Sequence, residues 1–240
     1  MSLYAIGDLH LSFGESVEKP MDIYGGLWVD HARRVRESWT ELVGEEDTVI
    51  VPGDISWGLK LSEAAADLEW ISRLPGRKVL IKGNHDLWWS SLTKLSGLFP
   101  SLHFLQNQCL DGGDFIICGS RGWTCPGESD FTAQDKKIYE RELGRLRLSL
   151  EAGRKALLRA DEEGRRPKLV GALHYPPTNE KMLGSGFTDL FEEYGACKVV
   201  YGHLHGSDAF RNGLQGTLRG VEYILASCDK LRCVPVKLMD

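Results

Sequence analysis

Apolar runs and amphipathic stretches alternate along the chain and predict its secondary structure. The amphipathic stretches predict helices over 30–43, 62–74, 87–98 and about 130–163. Seven apolar runs, each ending in glycine or a polar cluster, predict strands: "LYAIGDLH", "TVIVPGD", "KVLIKGNHD", "FIICGSRGW", "KLVGALHYPP", "CKVVYGHLHG" and "VEYILASCD". Because these runs are nearly continuous, we expect strands covered on both faces. The alternation of strand and helix predicts an α/β fold.

The longest helical stretch carries one apolar stripe. The residues that recur at helical spacing in it are Tyr139, Leu143, Leu146, Leu150 and Leu157. Residues 136–168 contain eleven Lys or Arg against six Asp or Glu. A solvated helix face explains this excess better than a surface for an anionic partner. No repeat, low-complexity linker or boundary interrupts the pattern, which predicts a single domain over residues 1–240.

Composition restricts the partners and the cellular compartment that we expect for the protein. A formal net charge of -5 over 240 residues argues against a polyanion-binding surface spread over the whole protein. Nucleic acid is therefore disfavoured as a partner, although a local basic patch leaves it open. No stretch approaches the ~20 apolar residues of a membrane helix, and the first apolar run is too short for a signal peptide. Six cysteines without a CxxC motif favour a reducing compartment, so we expect a cytoplasmic protein without membrane contact.

Polar side chains with metal-binding capacity follow the ends of five predicted strands. They are two carboxylates, one amide and five of the seven histidines: Asp8, His10, Asp54, Asn84, His85, His174, His203 and His205. In open α/β sheets, ligands collect beyond the carboxyl ends of the strands, so we expect these residues to converge. The mixed nitrogen and oxygen donors suit Mn, Fe, Zn or Co better than Ca. Eight such groups are too many for one ion, which favours a pair of divalent metals.

The charges of such a centre point to its substrate. Two divalent ions bring four positive charges, whereas Asp8, Asp54 and a bridging hydroxide remove three, because histidine and asparagine bind as neutral ligands. The remaining positive charge attracts a phosphate group. The same ions depress the pKa of bound water, which supplies a nucleophile at neutral pH without a protein nucleophile.

Five short blocks, "GDLH", "PGD", "GNHD", the histidine of "LHYPP" and "GHLH", occur in this order between residues 7 and 205. Together they resemble the calcineurin-like metallophosphoesterase superfamily. The resemblance implies a four-layer α/β/β/α sandwich, with two mixed β-sheets packed face to face and helices outside. It also implies that Asp54 bridges the metals and that His85 contacts substrate without binding metal. In that assignment Asp8, His10, Asp54 and His205 hold one metal, and the second is held by Asp54, Asn84, His174 and His203.

Departures from the relatives bear on the substrate. The phosphoprotein phosphatases of this superfamily read GDxVDRG and GNHE, whereas this chain reads "GDISWG" and "GNHD". It lacks their phosphate-binding arginine, and Trp57 stands where they carry an aspartate that orients the histidine. A protein phosphatase is therefore disfavoured, and the pattern is closer to the bacterial phosphodiesterase-like members. With that aspartate absent, Asp86 or a backbone carbonyl is expected to hold His85.

The sequence predicts a metal-dependent hydrolase of phosphate mono- or diesters, with nucleotides among the candidate substrates and the oligomeric state open. Two alternatives remain: a non-catalytic scaffold on the same fold, which typically loses the substrate-facing histidine that His85 supplies here, and a nuclease. Candidate substrate contacts are Arg121, Trp57 and Trp88, although tryptophans at these places more often fasten loops onto the core. The segment "LSFGESVEKPMDIYGGLW" after His10 is interpreted as a flap that selects substrate.

Residues outside the five blocks are interpreted as structural. His31 and His103 are expected to be ordinary surface or helix-face histidines. Cys228 and Cys233 are expected to be buried structural thiols, because no electropositive signature surrounds them in sequence.

Overall fold

The computed structural model describes residues 1–240, which divide into two compact units. The first unit comprises Met1–Phe104 and Ala226–Asp240, and the second comprises Leu105–Leu225. Each unit contains one mixed β-sheet and three α-helices, which confirms the predicted α/β fold with two mixed sheets. The interpretation of residues 1–240 as a single domain stays a prediction. None of the helices combines the length and the apolar character needed to cross a membrane.

The first unit contains a five-stranded sheet in the order β11-β1-β2-β3-β4. Strands β1 to β4 run parallel to one another, whereas β11 pairs antiparallel with β1. The strands are β1 (Leu3–Ala5), β2 (Thr48–Pro52), β3 (Arg77–Ile81), β4 (Leu102–Phe104) and β11 (Val236–Met239). Every residue of β1 and β2 is buried, as their continuous apolar runs predict.

The helices of the first unit are α1 (His31–Leu42), α2 (Leu61–Ser72) and α3 (Leu92–Leu98). Two 3₁₀ helices, Met21–Tyr24 and Gly26–Trp28, lie in the loop between β1 and α1. The predicted helix over 87–98 is wrong in its first five residues. There the chain turns because the Asp86 carboxylate accepts the Trp88 indole N–H at 3.0 Å and the Asp86 carbonyl accepts the Trp89 N–H at 3.2 Å.

The second unit contains a six-stranded sheet in the order β5-β6-β7-β8-β10-β9. Its four central strands are parallel, and the two edge strands are antiparallel to their neighbours. The strands are β5 (Cys109–Asp111), β6 (Phe115–Ser120), β7 (Lys168–Leu173), β8 (Lys198–Tyr201), β9 (Gly216–Leu218) and β10 (Val221–Leu225). The helices are α4 (Ala133–Glu162), α5 (Gly186–Glu193) and α6 (Gly206–Arg211).

Helix α4 packs its predicted apolar stripe into the core of the second unit. It starts with a capping box, in which the Thr132 hydroxyl accepts from the Asp135 N–H at 3.1 Å and the Asp135 carboxylate accepts from the Thr132 N–H at 2.9 Å. All five stripe residues belong to this core or pack against it: Tyr139, Leu143, Leu146, Leu150 and Leu157. The basic residues of 136–168 form ion pairs with neighbouring acids, such as Arg154 with Glu151 at 2.7 Å, as a solvated helix face does.

Candidate functional site

The loops that follow β1 and β2 lie side by side in the first unit. The Asp8 N–H donates to the Gly53 carbonyl and the His10 N–H to the Asp54 carbonyl, both at 2.9 Å. These bonds continue the pairing of β1 with β2 into the loops, beyond the last paired residues of the two strands. Asp8, His10 and Asp54 are thereby fixed in position by their own backbones.

Three of the predicted ligands in these loops have left-handed backbone conformations. Asp8 has φ 54°, His10 φ 45° and Asp54 φ 48°. Such a conformation costs a non-glycine residue about 1–3 kcal/mol and persists where the surrounding structure enforces it, typically at functional sites. The strained backbone therefore coincides with the residues that the sequence assigned to metal binding.

The side chains of these three residues are buried and close together. Asp8 and His10 each offer a ligand atom within 4.8 Å of the other. His10 Nε2 lies 3.8 Å from Asp54 Oδ2, and the three side chains are at most 3% exposed. Two buried carboxylates beside an imidazole form a donor set that suits a borderline divalent cation.

The turn after β3 carries Asn84 and His85 and contacts Asp54. A Cβ atom at Gly83 would lie 2.1 Å from Asp54 Oδ1, so only glycine allows this close approach. The His85 N–H donates to Asp54 Oδ1 at 2.9 Å, and His85 Nε2 lies 4.0 Å from Asp54 Oδ2. Asn84 is half-buried, whereas the His85 side chain is 44% exposed. His85 is thus open to solvent beside a buried carboxylate.

Asp86 has a structural role that the sequence did not reveal. Its fully buried carboxylate accepts the backbone N–H groups of Ile55 at 2.9 Å, Ser56 at 3.3 Å and Gly83 at 2.7 Å, in addition to the Trp88 indole. Burial and the nearby charge of Asp54 raise the pKa of Asp86 to about 7. Asp86 therefore fastens the loops after β2 and β3 together, and its carboxylate contacts these groups instead of the His85 ring it was expected to hold.

Trp57 contacts the rings of both His10 and His85. Its ring stacks on His10, with centroids 4.6 Å apart, and contacts His85 at 4.5 Å. The Trp57 indole N–H faces Met21 Sδ at 3.3 Å, and Lys19 Nζ lies 4.7 Å from the ring centroid. The predicted flap thus contributes Lys19 and Met21 to the surroundings of Trp57. By contrast, Trp88 is buried in the core, which fits a loop-fastening role, and its substrate contact stays a prediction.

His31 supports the candidate ligands from helix α1. The residue is buried, and its Nε2 atom donates to the Leu9 carbonyl at 2.8 Å, between Asp8 and His10. Burial lowers the pKa of His31, so the ring is neutral at neutral pH. Sequence reasoning treated this histidine as an ordinary one because it lies outside every motif.

The second unit brings His174 and His203 together. His203 Nδ1 lies 3.2 Å from His174 Nε2, and His203 also has a left-handed backbone with φ 74°. The Gly202 N–H donates to the His174 carbonyl at 3.0 Å, which holds the ends of β7 and β8 side by side. Tyr175 packs on the His203 ring, with centroids 4.2 Å apart. His205 is half-buried at the start of α6.

Arg121 is bound within the second unit. Its guanidinium lies 3.4 Å from the buried Glu142 carboxylate and 4.6 Å from the Trp123 ring centroid. Its carbonyl accepts the backbone N–H groups of His174 and Tyr175, both at 3.0 Å. Arg121 therefore supports the loop that carries His174. Its assignment as a substrate contact stays a prediction.

Asp67 on helix α2 connects two loops of the first unit and makes stability pH-dependent. Its buried carboxylate accepts the Phe13 N–H at 2.7 Å and the Ser56 hydroxyl. Burial raises the pKa of Asp67 to about 6, so the folded state binds more protons than the unfolded state between about pH 4 and pH 6. Asp67 therefore contributes a loss of stability as the pH rises through this range, of at most about 3 kcal/mol.

We expect Asp67→Asn to remove this loss, because a neutral amide can accept from Phe13 and donate to Ser56. The free energy of unfolding of the variant relative to the unsubstituted protein should rise between pH 4 and pH 7. Urea unfolding at several pH values in a metal-chelating buffer measures this difference. If the difference in the free energy of unfolding did not change between pH 4 and pH 7, the pKa of Asp67 would not be raised in the folded state.

A family model described as calcineurin-like phosphoesterase matches residues 1–207. The chain is 40% identical to the gene 66 protein of Mycobacterium phage D29 over 85 residues, and 47% identical to that of phage L5 over 57 residues. These matches cover 35% and 24% of this chain, and 40% and 27% of the phage proteins, so the chain matches less than half the length of either relative.

One solved structure of low sequence identity shares the fold. TT1561 of Thermus thermophilus is 11% identical, with a TM-score of 0.53 over 85% of this chain and 81% of that one. AQ665 from Aquifex aeolicus, described as a protein of unknown function, is 14% identical, with a TM-score of 0.49 over 98% and 95% of the two chains.

Proposed function

Because the chain belongs to the calcineurin-like phosphoesterase family, we propose that it hydrolyses phosphate mono- or diesters with two divalent metal ions. Metal-dependent hydrolysis of phosphoesters is the activity that this family implies. The observation that carries the proposal is the left-handed backbone at Asp8, His10, Asp54 and His203, which are all metal-ligand types at strand ends.

The proposed ligand groups combine carboxylate, amide and imidazole donors. In the assignment that the family implies, Asp8, His10 and His205 would hold one ion, and Asp54, Asn84, His174 and His203 would hold the other. In the proposal, Asp54 would also help to hold the first ion. This donor chemistry fits Mn, Fe or Zn. When bound, the two ions would act as Lewis acids toward phosphoryl oxygens and lower the pKa of water.

The proposal gives the protein's own residues three tasks. Asp86 and Trp57 hold the loops of the first unit in place, which keeps the ligand side chains preorganised. His85, exposed beside Asp54, donates a proton to the leaving oxygen of the ester. Trp57, next to His85, contributes an apolar surface for the leaving group.

A substrate panel combined with metal analysis tests this function. We expect the purified protein to hold two divalent ions per chain and to hydrolyse at least one class among phosphomonoesters, phosphodiesters and cyclic nucleotides. Chelation should abolish the activity, and readdition of Mn²⁺, Fe²⁺ or Zn²⁺ should restore it. Activity that survives complete removal of the metals would overturn the proposal, as would metal-loaded protein inactive on the whole panel.

The segment 14–26 is proposed to select the substrate. Ile23 and Tyr24 on its first 3₁₀ helix are 73% and 68% exposed, although both side chains are apolar or aromatic. Exposed neighbouring apolar side chains are typical of a ligand-contacting surface. In the same segment, Lys19 and Met21 contact Trp57.

We expect the double variant Ile23→Ser/Tyr24→Ser to change the ratio of rates between aryl and short alkyl esters several-fold, because the leaving group loses an apolar contact. Metal content and thermal stability should stay unchanged, since neither side chain is buried. Leu98→Ser, at an exposed leucine of α3, serves as the control. Unchanged relative rates in the double variant would remove the segment from the specificity determinants.

The proposed location is a reducing cytoplasm. All six cysteines are free thiols, which fits a compartment in which disulfides are kept reduced. The substrates and partners of the whole protein, including nucleotides, are likewise proposals, because the phage relatives are matched over less than half of their length.

A further inference from the structure

Two cysteines of the second unit face each other across the hairpin of β5 and β6. Cys109 and Cys118 are Cα partners in this antiparallel pairing. At the turn, the Gly112 N–H donates to the Phe115 carbonyl at 2.9 Å. Hydrogen-bonded and non-hydrogen-bonded pairs alternate outward from there, which places the cysteines in a non-hydrogen-bonded pair. Opposite Cα atoms in such a pair are ~4.5 Å apart, a spacing that a disulfide can bridge.

The two thiols differ in access and in acidity. Cys109 is half-buried on the edge strand and lines a depression of about 520 Å³ together with Lys155 and Arg159 of α4. Cys118 is fully buried, and its thiol donates to the Ser149 carbonyl at 3.3 Å. A reagent from solvent therefore reaches Cys109 first.

The charges around the pair favour a thiolate at Cys109. The neighbouring Cys118 thiol and the positive charge of Arg159 lower the pKa of Cys109 to about 7, against burial and the opposing charge of Asp111. The neighbouring Cys109 thiol and burial raise the pKa of Cys118, which therefore keeps its proton. A low-pKa accessible thiol beside a second thiol is the arrangement of a redox-sensitive cysteine pair.

We propose that Cys109 and Cys118 form a peroxide-sensitive dithiol–disulfide couple, with Cys109 as the attacking thiolate and Cys118 as the resolving thiol. The Cys109 sulfur attacks one peroxide oxygen, the O–O bond breaks, and Cys109 becomes a sulfenic acid while the other oxygen leaves as water after taking up a proton. The Cys118 sulfur then attacks the sulfenic sulfur, the S–S bond forms, and the hydroxyl leaves as water with the Cys118 proton. Two thiols and one hydrogen peroxide thus give one disulfide and two waters.

The first unit holds a second cysteine pair that serves as an internal comparison. Cys228 Sγ and Cys233 Sγ are 3.7 Å apart, but both side chains are at most 1% exposed. The neighbouring Cys233 thiol and burial raise the pKa of Cys228, and the neighbouring Cys228 thiol lowers the pKa of the buried Cys233. Two cysteines therefore neighbour each other at both places, whereas solvent access is present only at Cys109.

The experiment treats the reduced full-length protein with stoichiometric hydrogen peroxide, with and without a metal chelator, and maps the products by peptide mass spectrometry. We expect a disulfide between the Cys109 and Cys118 peptides, with loss of two hydrogens and reversal by dithiothreitol. Cys118→Ser should stop at a Cys109 sulfenic acid that dimedone traps, and Cys109→Ser should leave Cys118 reduced. The Cys228→Ser variant should behave as the unsubstituted protein does.

The rate of the reaction tests the role of the positive charge. Arg159→Gln should slow oxidation of Cys109 up to about tenfold at pH 6 and much less at pH 9, where the thiol is ionised in both proteins. A disulfide at Cys228 and Cys233 that forms first would overturn the proposal. So would a Cys109 sulfenic acid that accumulates in the unsubstituted protein without pairing.

Discussion

Asp54→Asn is expected to lose both metal ions and with them the activity. The substitution removes a negative charge and one carboxylate oxygen from the residue proposed to bridge the two ions. We expect metal content to fall from two ions per chain toward none, and kcat/KM to fall by more than about 100-fold, the upper range for groups that only support the ligands. Elemental analysis after dialysis against a weak chelator measures the first effect, and ester hydrolysis measures the second.

Two properties of the site make this test specific. An asparagine at position 54 can still accept the His85 N–H, which lies 2.9 Å from Asp54 Oδ1, so the loop contact survives. His10→Ala is the matched comparison, because His10 is proposed to bind only one ion and should lose mainly that ion. Circular dichroism should show the same fold in both variants. Wild-type levels of both metals in Asp54→Asn would show that Asp54 does not bridge.

His85→Asn is expected to separate substrates by their leaving groups. The leaving oxygen gains negative charge as the ester bond breaks, and proton donation from a positioned imidazole is typically worth 10² to 10⁴ in rate. An alkoxide needs this proton, whereas nitrophenolate leaves readily without it. We therefore expect a loss of at least about 100-fold on alkyl phosphate esters and a much smaller loss on nitrophenyl esters.

The metal content of His85→Asn gives the control. His85 is proposed to contact the substrate only, so both ions should remain. Trp57→Phe offers a second comparison, because a smaller ring keeps an aromatic contact with His85 while loosening its position. Equal losses on both ester types would limit His85 to substrate binding, and loss of metal would make it a ligand.

The apolar runs predicted the strands that lead into the candidate ligands better than they predicted the edge strands of the two sheets. All seven apolar runs contain strands. The four strands without a predicted run are β4, β5, β9 and β11, and each lies at an edge of its sheet. Each of these strands has three or four residues and is incompletely buried, and β9 is largely exposed. Such strands therefore lack a continuous apolar run. The pattern that marks a central strand is absent where only one neighbour is paired.

The contacts that support the site could not be predicted from the motifs either. His31 contacts the Leu9 carbonyl across 22 residues, and Asp86 contacts Ile55 across 31. A single sequence carries no signal for such pairs, because the residue types alone fit a surface helix and a turn equally well. Asp86, directly after His85, was a visible candidate, but three of its four hydrogen-bond partners are backbone N–H groups, which the spacing of side chains does not reveal. Tertiary structure decides these contacts.

The antiparallel pairing of β1 with β11 sets an order of events during synthesis. Leu3 pairs with Met239, so the ribosome must add about 230 further residues after β1 before its partner exists. At 5–20 residues per second this takes on the order of tens of seconds. Throughout that interval one side of β1 has its backbone groups unpaired, which is the condition for wrong strand addition. The nascent chain is therefore exposed to misassociation at the segment that leads into Asp8 and His10.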